Sequence, residues 1–200
     1  MFGVADDGRK VVLNEDGTWV YHKDVVTSAE EGSRGFRKLS WGAHRLDVKQ
    51  SEPSVAWLEG DGYLGFESAL GGNECLVVFV FLNDMLVRGK YVFSQKFAND
   101  NTYLSKFDEF KDMLQKKYGV PDSDNEYWLN DLYQDDYQSW GMAVSAGHMS
   151  RFTMWVDGAT KVCLSLTGEG YQCDLSIEYS SIEYEAEESK YKESIVLDLL

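Results

Sequence analysis

The sequence predicts an α+β fold: an antiparallel, hairpin-connected sheet with helices packed on one face, preceded by an N-terminal β-hairpin. Runs of β-branched and aromatic residues are joined by short turns rich in glycine and asparagine, which is typical of hairpins. Two stretches with helical periodicity each come before such a meander, and this order favours the α+β class. We therefore expect a hairpin and linker at 1–34, an α+β domain at 35–182 and a charged tail at 183–200.

The first predicted element is the hairpin at residues 9–21. Two β-rich runs flank a turn at 14–17, where Gly17 can adopt the positive φ that a tight turn needs. The polar residues 22–35 follow and are predicted to form a linker.

The first helix of the main domain is predicted over residues 44–52, directly after a Trp-Gly turn. Leu46 and Val48 are expected to face inward, and Pro53 is expected to end the helix. The acid three residues after the cap position would close a capping box. The residues with expected structural roles here are Trp41, Gly42, Asp47 and Val48.

Four strands are predicted next, with turn residues at 71–72 and 83–84 between the later ones. The run Leu76–Leu82 is apolar at every position, so we expect a central strand that is covered on both faces. Trp41 and Trp57 are expected to pack in the core or on the sheet. The four predicted strands are Val55–Glu59, Tyr63–Leu70, Glu74–Leu82 and Met85–Ser94.

The second helix is predicted over about residues 102–118, because apolar residues recur along one stripe with helical spacing. Gly119 supplies the residue that follows the helix and Pro121 supplies the stop. The stripe consists of Tyr103, Phe107, Phe110, Leu114 and Tyr118.

A polar loop at 121–136 and a short segment at 137–146 then lead to the last strands, which include a turn at Gly168-Glu169. Because each helix comes before a meander, the two halves suggest a degenerate duplication, although their residues are too dissimilar to establish one. The three last strands are predicted at Ser150–Val156, Lys161–Thr167 and Tyr171–Tyr179.

The net charge of -15 argues against nucleic-acid binding, because phosphate groups would be repelled. It also disfavours anionic membrane surfaces, and Leu76–Leu82 is far shorter than the roughly 20 residues that span a bilayer. Met1–Ala5 has neither a basic nor an apolar signal-peptide region, so we expect no signal peptide here. A mature secreted form would look the same, so the N-terminus does not reveal the location of the protein. We expect no cofactor, because no phosphate-binding glycine loop occurs.

The three cysteines are expected to be free thiols, since their odd number gives no closed disulfide framework. Cys163 and Cys173 fall in one predicted hairpin but on opposite faces of the sheet, where a disulfide cannot join them. Cys75 lies in a different predicted strand.

Two motifs resemble elements of uncharacterised bacterial secreted and lipoprotein-like domains. Ser40–Glu52 resembles their Trp-Gly-x-Ser-x-x-Glu-Val helix element, with His44 in place of the capping serine. Lys117–Pro121 resembles the Lys-Tyr-Gly-x-Pro that ends their long helix, and residues 7–21 are similar to a hairpin of bacterial envelope proteins. The helix–meander order is more loosely similar to β-lactamase-inhibitor-protein-like domains.

The motif resemblances imply a bacterial envelope or secreted protein, and the inhibitor-like likeness implies a binding surface on the sheet and no catalytic site. We therefore expect a non-enzymatic protein that binds a protein or small ligand through its sheet face or the loop at 121–140. The free thiols and acidic composition keep a second hypothesis open, an intracellular acidic adaptor or immunity-type protein. A hydrolase with a carboxylate-lined cleft is a weaker third hypothesis.

Catalytic and metal-binding motifs are weak in this sequence. Ala143–Gly147 approximates a nucleophile elbow around Ser145, but His148 follows too closely and no acid lies between them. The acidic stretch after Pro121 lacks the glycine and glutamate of a calcium loop. We therefore expect no metal site, and the weak candidate ligands are Asp122, Asp124, Asp135 and Asp136.

Aromatic residues are concentrated among acids at residues 127–140, here called the corner segment. Two interpretations are open: the aromatic side chains form a binding surface, or they attach the segment to the sheet as in a compact loop. The expected binding residues are Trp128, Tyr133, Tyr137 and Trp140.

Overall fold

The computed structural model describes residues 2–4, 10–13, 19–21 and 35–198. The chain divides into two compact units, residues 1–32 and residues 33–200, and each is described by itself. In the first unit three antiparallel strands pair in the order β1-β2-β3. They are β1 (Phe2–Val4), β2 (Lys10–Leu13) and β3 (Trp19–Tyr21).

Pairing of β2 with β3 confirms the predicted N-terminal hairpin, whereas β1 was not predicted. The predicted turn at 14–17 and residues 22–34 of the predicted linker lie outside the described residues, and Gly35 begins a strand.

The second unit confirms the predicted α+β fold class, with an eight-stranded antiparallel sheet, a separate two-stranded hairpin and four helices. The hairpin strands are β4 (Gly35–Phe36) and β5 (Leu39–Ser40). The sheet strands are β6 (Leu58–Gly60), β7 (Tyr63–Leu70), β8 (Asn73–Leu82), β9 (Met85–Phe93), β10 (Ser123–Trp128), β11 (Met149–Asp157), β12 (Thr160–Glu169) and β13 (Gln172–Ser181). The helices are α1 (Arg45–Ser51), α2 (Asn101–Tyr118), α3 (Trp140–Ser145) and α4 (Glu185–Asp198), with a 3₁₀ turn at Tyr137–Ser139.

The large sheet consists of two meanders joined at their last strands. Its strand order is β10-β11-β12-β13-β9-β8-β7-β6, so β13 of the second half pairs with β9 of the first. Each half begins with a helix, α1 or α2, and the strand order on one side of the β9–β13 pair mirrors that on the other. This is the topology that a two-fold axis between β9 and β13 generates, although α3 and the 3₁₀ turn are inserted only in the second half.

Helices α1, α2 and α3 lie on one face of the sheet, which we call the inner face. Two clusters of buried side chains fill the space between, one under α2 and α3 and one under α1 and the β4–β5 hairpin. Tyr91, Phe93 and Tyr179 pack against both clusters, so the core is continuous across the β9–β13 pair. The five predicted stripe residues of α2 face this core, four of them buried and Tyr118 half-buried.

Phe36 attaches the β4–β5 hairpin to the middle of the inner face. The side chain is 2% exposed, and its ring centroid lies 5.2 Å from that of Tyr91 and 5.3 Å from that of Tyr179. The ring covers the backbone of Gly89, where a Cβ atom would lie 2.6 Å from Cε1 of Phe36 and closer still to two other ring atoms. A glycine is therefore required under this ring.

Helix α1 follows the predicted bounds closely, but one inward residue was predicted wrongly. Val48 is fully buried, whereas Leu46 is 53% exposed. Residues two positions apart on an α-helix point about 200° apart around its axis. Leu46 and Val48 therefore cannot both face the same core. The backbone N–H of His44 donates to Asp47 Oδ2 at 3.3 Å, which supports the predicted role of that acid at the helix start.

Strand β10 replaces part of the predicted polar loop at 121–136. Its residues have low intrinsic strand propensity, and pairing with β11 overrides it. The last hairpin turn also differs from the prediction, because β12 continues to Glu169 and the turn residues with positive φ are Gly170 and Tyr171.

Candidate functional site

The candidate site begins with the sheet face opposite α1, α2 and α3, which we call the open face. Side chains alternate along a strand, so residues that do not face the helices must face this side. Paired residues form rows that cross the sheet, and the middle row extends from Leu58 on β6 to Ser123 on β10. The three rows comprise Tyr63, Val80, Arg88, Ser180, Lys161 and Val156, then Leu58, Gly65, Val78, Lys90, Glu178, Cys163, Met154 and Ser123, then Glu67, Leu76, Val92, Ser176, Ser165, Phe152 and Asn125.

The open face corrects the expectation that β8 is covered on both sides. Leu76, Val78 and Val80 remain half-buried there, and of the four helices of residues 35–198 it is α4 that contacts this face. Large apolar side chains are more exposed towards its two edges: Leu58 is 49% exposed near β6 and Val156 is 52% exposed on β11. Antiparallel sheets with one solvated face usually carry polar residues there, so these apolar positions need another explanation.

The centre of the open face is charged and internally paired. Glu178 forms ion pairs with both Arg88 and Lys90, the neighbouring cations on β9. Arg88 Nε also donates to Glu188 Oε2 of α4 at 2.7 Å. Burial opposes ionisation of Glu188, but hydrogen bonds from Arg88 and Lys192 outweigh it and hold the pKa of this carboxyl below its ordinary value.

A second ion pair fixes the start of α4 at the end of the same face. Lys161 Nζ lies 2.7 Å from Glu185 Oε1. The predicted C-terminal tail thus contains a helix that ion pairs hold to the sheet. The apolar side chains of this helix, Tyr191, Val196 and Leu197, are at least half exposed.

All three cysteines are free thiols, as predicted, and they differ in accessibility. Cys75 and Cys173 are buried on the inner face, whereas Cys163 lies half-buried in the middle row of the open face. Burial raises the pKa of all three thiols, to about 12 for Cys173. Cys163 is therefore the thiol that best reports on the open face.

The corner segment is attached to the protein by most of its aromatic side chains. Trp128, Tyr133 and Trp140 pack against the core cluster under α2 and α3. The indole rings of Trp128 and Trp140 meet edge to face at 5.5 Å, and Tyr133 stacks on His148 at 5.8 Å. Of the four predicted binding residues, Tyr137 alone is mostly exposed, at 59%.

Asn101 fixes the end of this segment to α2. Its side-chain oxygen accepts the N–H of Gly141 at 2.6 Å, and its side-chain amide donates to the carbonyls of Tyr137 and Gln138.

The most exposed apolar residues of the segment were not predicted as binding residues. Leu129 is 87% exposed and Leu132 is 67% exposed. Both lie in a stretch of mixed aromatic and acidic residues without clear periodicity, so the sequence alone gave no signal that the leucines would be outside and the tryptophans inside.

Three of the four acidic candidate ligands, all but Asp135, have partners within the protein. Asp122 accepts the N–H of Val156 at 2.7 Å, Asp124 pairs with Lys111 and accepts from Thr153, and Asp136 caps the 3₁₀ turn. Burial raises the pKa of Asp124, but the hydrogen bonds from Lys111 and Thr153 outweigh burial, so the pKa is lowered overall. Within the described residues no three His, Cys, Asp or Glu side chains converge as metal ligands.

Two other residues noted in the sequence occupy structural positions. Ser145 is 1% exposed at the end of α3, where its hydroxyl donates to the carbonyl of Met142 at 3.2 Å. His44 Nδ1 lies 3.6 Å from Asp84 Oδ2, so it joins the start of α1 to the β8–β9 turn.

A small cavity lies between α2 and the sheet. It is lined by aromatic and aliphatic side chains together with Asn73, Gln95 and Lys106, and no carboxylate lines it. In the described part of the chain, no helix has the length and apolarity that crossing a bilayer requires.

Comparison of the chain with protein-family models, with curated proteins and with solved structures found no match. The resemblances to bacterial envelope domains and to inhibitor-like domains therefore stay predictions.

Proposed function

We propose that this protein is a non-enzymatic binding protein and that its open face holds a partner protein. The observation that carries the proposal is that three side chains along β8, Leu76, Val78 and Val80, are apolar and only half-buried on the open face. Helices α1, α2 and α3 do not cover this face. Covering these side chains would remove apolar surface from water, which is favourable by about 25 cal/mol per Å².

The size of the open face suits a protein partner. Eight strands spaced about 4.8 Å apart span roughly 35 Å, and three rows of side chains cover roughly 20 Å along the strands. The resulting area is on the order of 700 Å² before the part that α4 covers at Arg88 and Lys161 is subtracted, against the about 800 Å² that each partner buries in a standard interface.

The composition of the face supports the same assignment. Apolar side chains along β8 and along β11 flank the charged centre of the face. There Arg88, Lys90 and Glu178 neutralise part of one another's charge. Apolar surface supplies affinity, while fixed charges mainly set orientation and specificity. The loose likeness to inhibitor-like domains, which implies binding on the sheet, agrees with this proposal.

The test compares two identical substitutions on opposite sides of the protein. Met154→Lys places a charge in the middle row of the open face, and Met113→Lys places the same charge at a 43% exposed position of α2. Tagged protein is cross-linked in a cell extract and the captured partner is identified, purified and titrated. We expect M154K to weaken its binding at least about tenfold, the effect of about 1.4 kcal/mol, and M113K to leave it unchanged. Equal affinity of the two variants would refute the assignment of the open face.

We further propose an envelope or secreted location, on the strength of the motif resemblances. The alternative, an intracellular adaptor or immunity-type protein, is favoured by the three free thiols, because disulfides are rare in reducing compartments. Fractionation of bacteria expressing the intact gene with a C-terminal tag separates these two locations.

A further inference from the structure

The outer edge of β10 is an unpaired strand edge at one end of the large sheet. β10 pairs with β11 on one side, and no described strand pairs with it on the other. It is six residues long, whereas β6 at the opposite end has three residues. An edge strand of this length presents a row of backbone N–H and C=O groups that can pair with another chain.

The direction of these backbone groups follows from the ladder. Leu129 N–H donates to the carbonyl of His148 at 2.7 Å, which continues the β10–β11 pairing by one residue. Hydrogen-bonded pairs alternate in an antiparallel ladder, so Ser123, Asn125 and Tyr127 bond to β11. The N–H groups of the remaining residues of the strand, Asp124, Glu126 and Trp128, point away from the sheet.

The residues on and after this edge carry an excess of negative charge. Residues 118–150 contain no Lys or Arg, and residues 121–140 contain six carboxylates. Lys111 and Arg151 pair with Asp124 and Glu126. The other four carboxylates, at positions 122, 131, 135 and 136, have no cationic partner among the described residues.

This charge identifies the kind of chain that fits the edge. A second copy of β10 would bring its own carboxylates against these, and like charges across a strand pair are destabilising. A basic strand would meet complementary charge. Leu129, the residue directly after β10, is 87% exposed and offers an apolar contact for a side chain of such a strand.

We infer that β10 is the docking edge for an extended, basic segment of a partner protein, which adds to the sheet as a ninth strand. The inference uses a different surface from the open face and does not depend on the proposed function. Main-chain hydrogen bonds at Asp124, Glu126 and Trp128 supply the pairing, and the carboxylates of the corner segment select for Lys and Arg.

The first test uses a synthetic peptide of alternating lysine and valine as the probe. Hydrogen exchange followed by NMR on the intact protein is expected to slow at the amides of Asp124, Glu126 and Trp128 when the peptide is added. The amides of Ser123 and Asn125, already bonded to β11, should change little. Absence of this alternating protection would overturn the inference.

Two control peptides separate the contributions of backbone and charge. A peptide of the same sequence with alternate backbone nitrogens methylated cannot complete the ladder, and we expect it to bind at least about tenfold more weakly in fluorescence anisotropy. A peptide of alternating glutamate and valine should show no binding. Equal binding of either control peptide would refute the docking edge.

A matched pair of protein variants tests the same edge from the other side. Glu126→Pro removes one outward N–H, and edge strands tolerate proline at such a position. Glu126→Ala loses the same contacts to Trp128 and Arg151 but keeps the N–H. We expect E126P to bind the lysine–valine peptide at least about fivefold more weakly than E126A; equal affinities would contradict the inference. If E126P does not fold, the methylated peptide on the wild-type protein decides the question.

Discussion

Phe36 and Gly89 should be energetically coupled, so that the effects of substituting both on the free energy of unfolding do not add. Gly89→Ala places a Cβ inside the ring of Phe36, so the ring must leave its site. Displacing it weakens its contacts with Phe79, Tyr91 and Tyr179, whose centroids lie 5.2–5.3 Å away. Overpacking of this kind costs about 1–3 kcal/mol.

The double-mutant cycle gives the magnitude. Phe36→Ala, at a side chain 2% exposed, should lower the free energy of unfolding by about 3–5 kcal/mol. With the ring gone, G89A has nothing to displace, and alanine in a strand is about 0.5–1 kcal/mol better than glycine. The double variant should therefore be no less stable than F36A, which gives a coupling energy of about 2 kcal/mol in magnitude.

Urea unfolding followed by far-UV circular dichroism measures the four free energies. Gly65→Ala is the matched control, because Gly65 is also a buried strand glycine, but its Cβ would come closest to the carbonyl of Val77, at 3.2 Å, and no atom of Phe36 is among its near neighbours. G65A should show no coupling to F36A. If G89A and F36A are additive within about 0.5 kcal/mol, the ring does not depend on the glycine and the reasoning fails.

Two further predictions concern the open face. Glu188→Gln removes the charge that pairs with Arg88, so the free energy of unfolding should fall by about 1–3 kcal/mol at pH 7. The amide hydrogens of residues 185–198 should also exchange faster, as measured by mass spectrometry. Unchanged exchange would contradict the docking of α4. The lowered pKa of Glu188 means that its contribution is complete above pH 4.5 and is lost as the pH falls through that lowered value, so E188Q should lack this part of the acid sensitivity. Maleimide at neutral pH should modify Cys163 first and the two buried thiols only on unfolding; equal rates, measured by peptide mass mapping, would refute the assigned faces.

The sequence predicted the fold class because its strongest patterns are local. The stripe of α2 and the apolar and β-branched residues of β7, β8 and β9 supply one continuous core, and the predicted bounds agree with the structure to within a residue or two. Gly119 takes a φ of 84° directly after α2, as its position before Pro121 predicted.

The sequence failed where tertiary contacts decide. Nothing local marks Ser123–Trp128 as a strand, because Asp124 and Glu126 are stabilised there by cations from α2 and β11. The apolar run of β8 predicted two covered faces, since a sequence cannot distinguish a face covered by the same chain from one left for another chain. In the corner segment, tertiary contacts likewise decide which apolar residues are buried and which are exposed, and the sequence does not show those contacts.

The two surfaces differ in the kind of contact that can satisfy them. The apolar side chains of β8 lie in the interior of the sheet, between β7 and β9, so strand pairing cannot cover them and only another packed surface can. The edge of β10 has the opposite requirement, because its outward groups are backbone amides and carbonyls that need a strand. A mutation on the open face should therefore leave binding of the lysine–valine peptide intact, and E126P should leave a partner on the open face bound. The two surfaces can be occupied and tested independently, although β10 borders both.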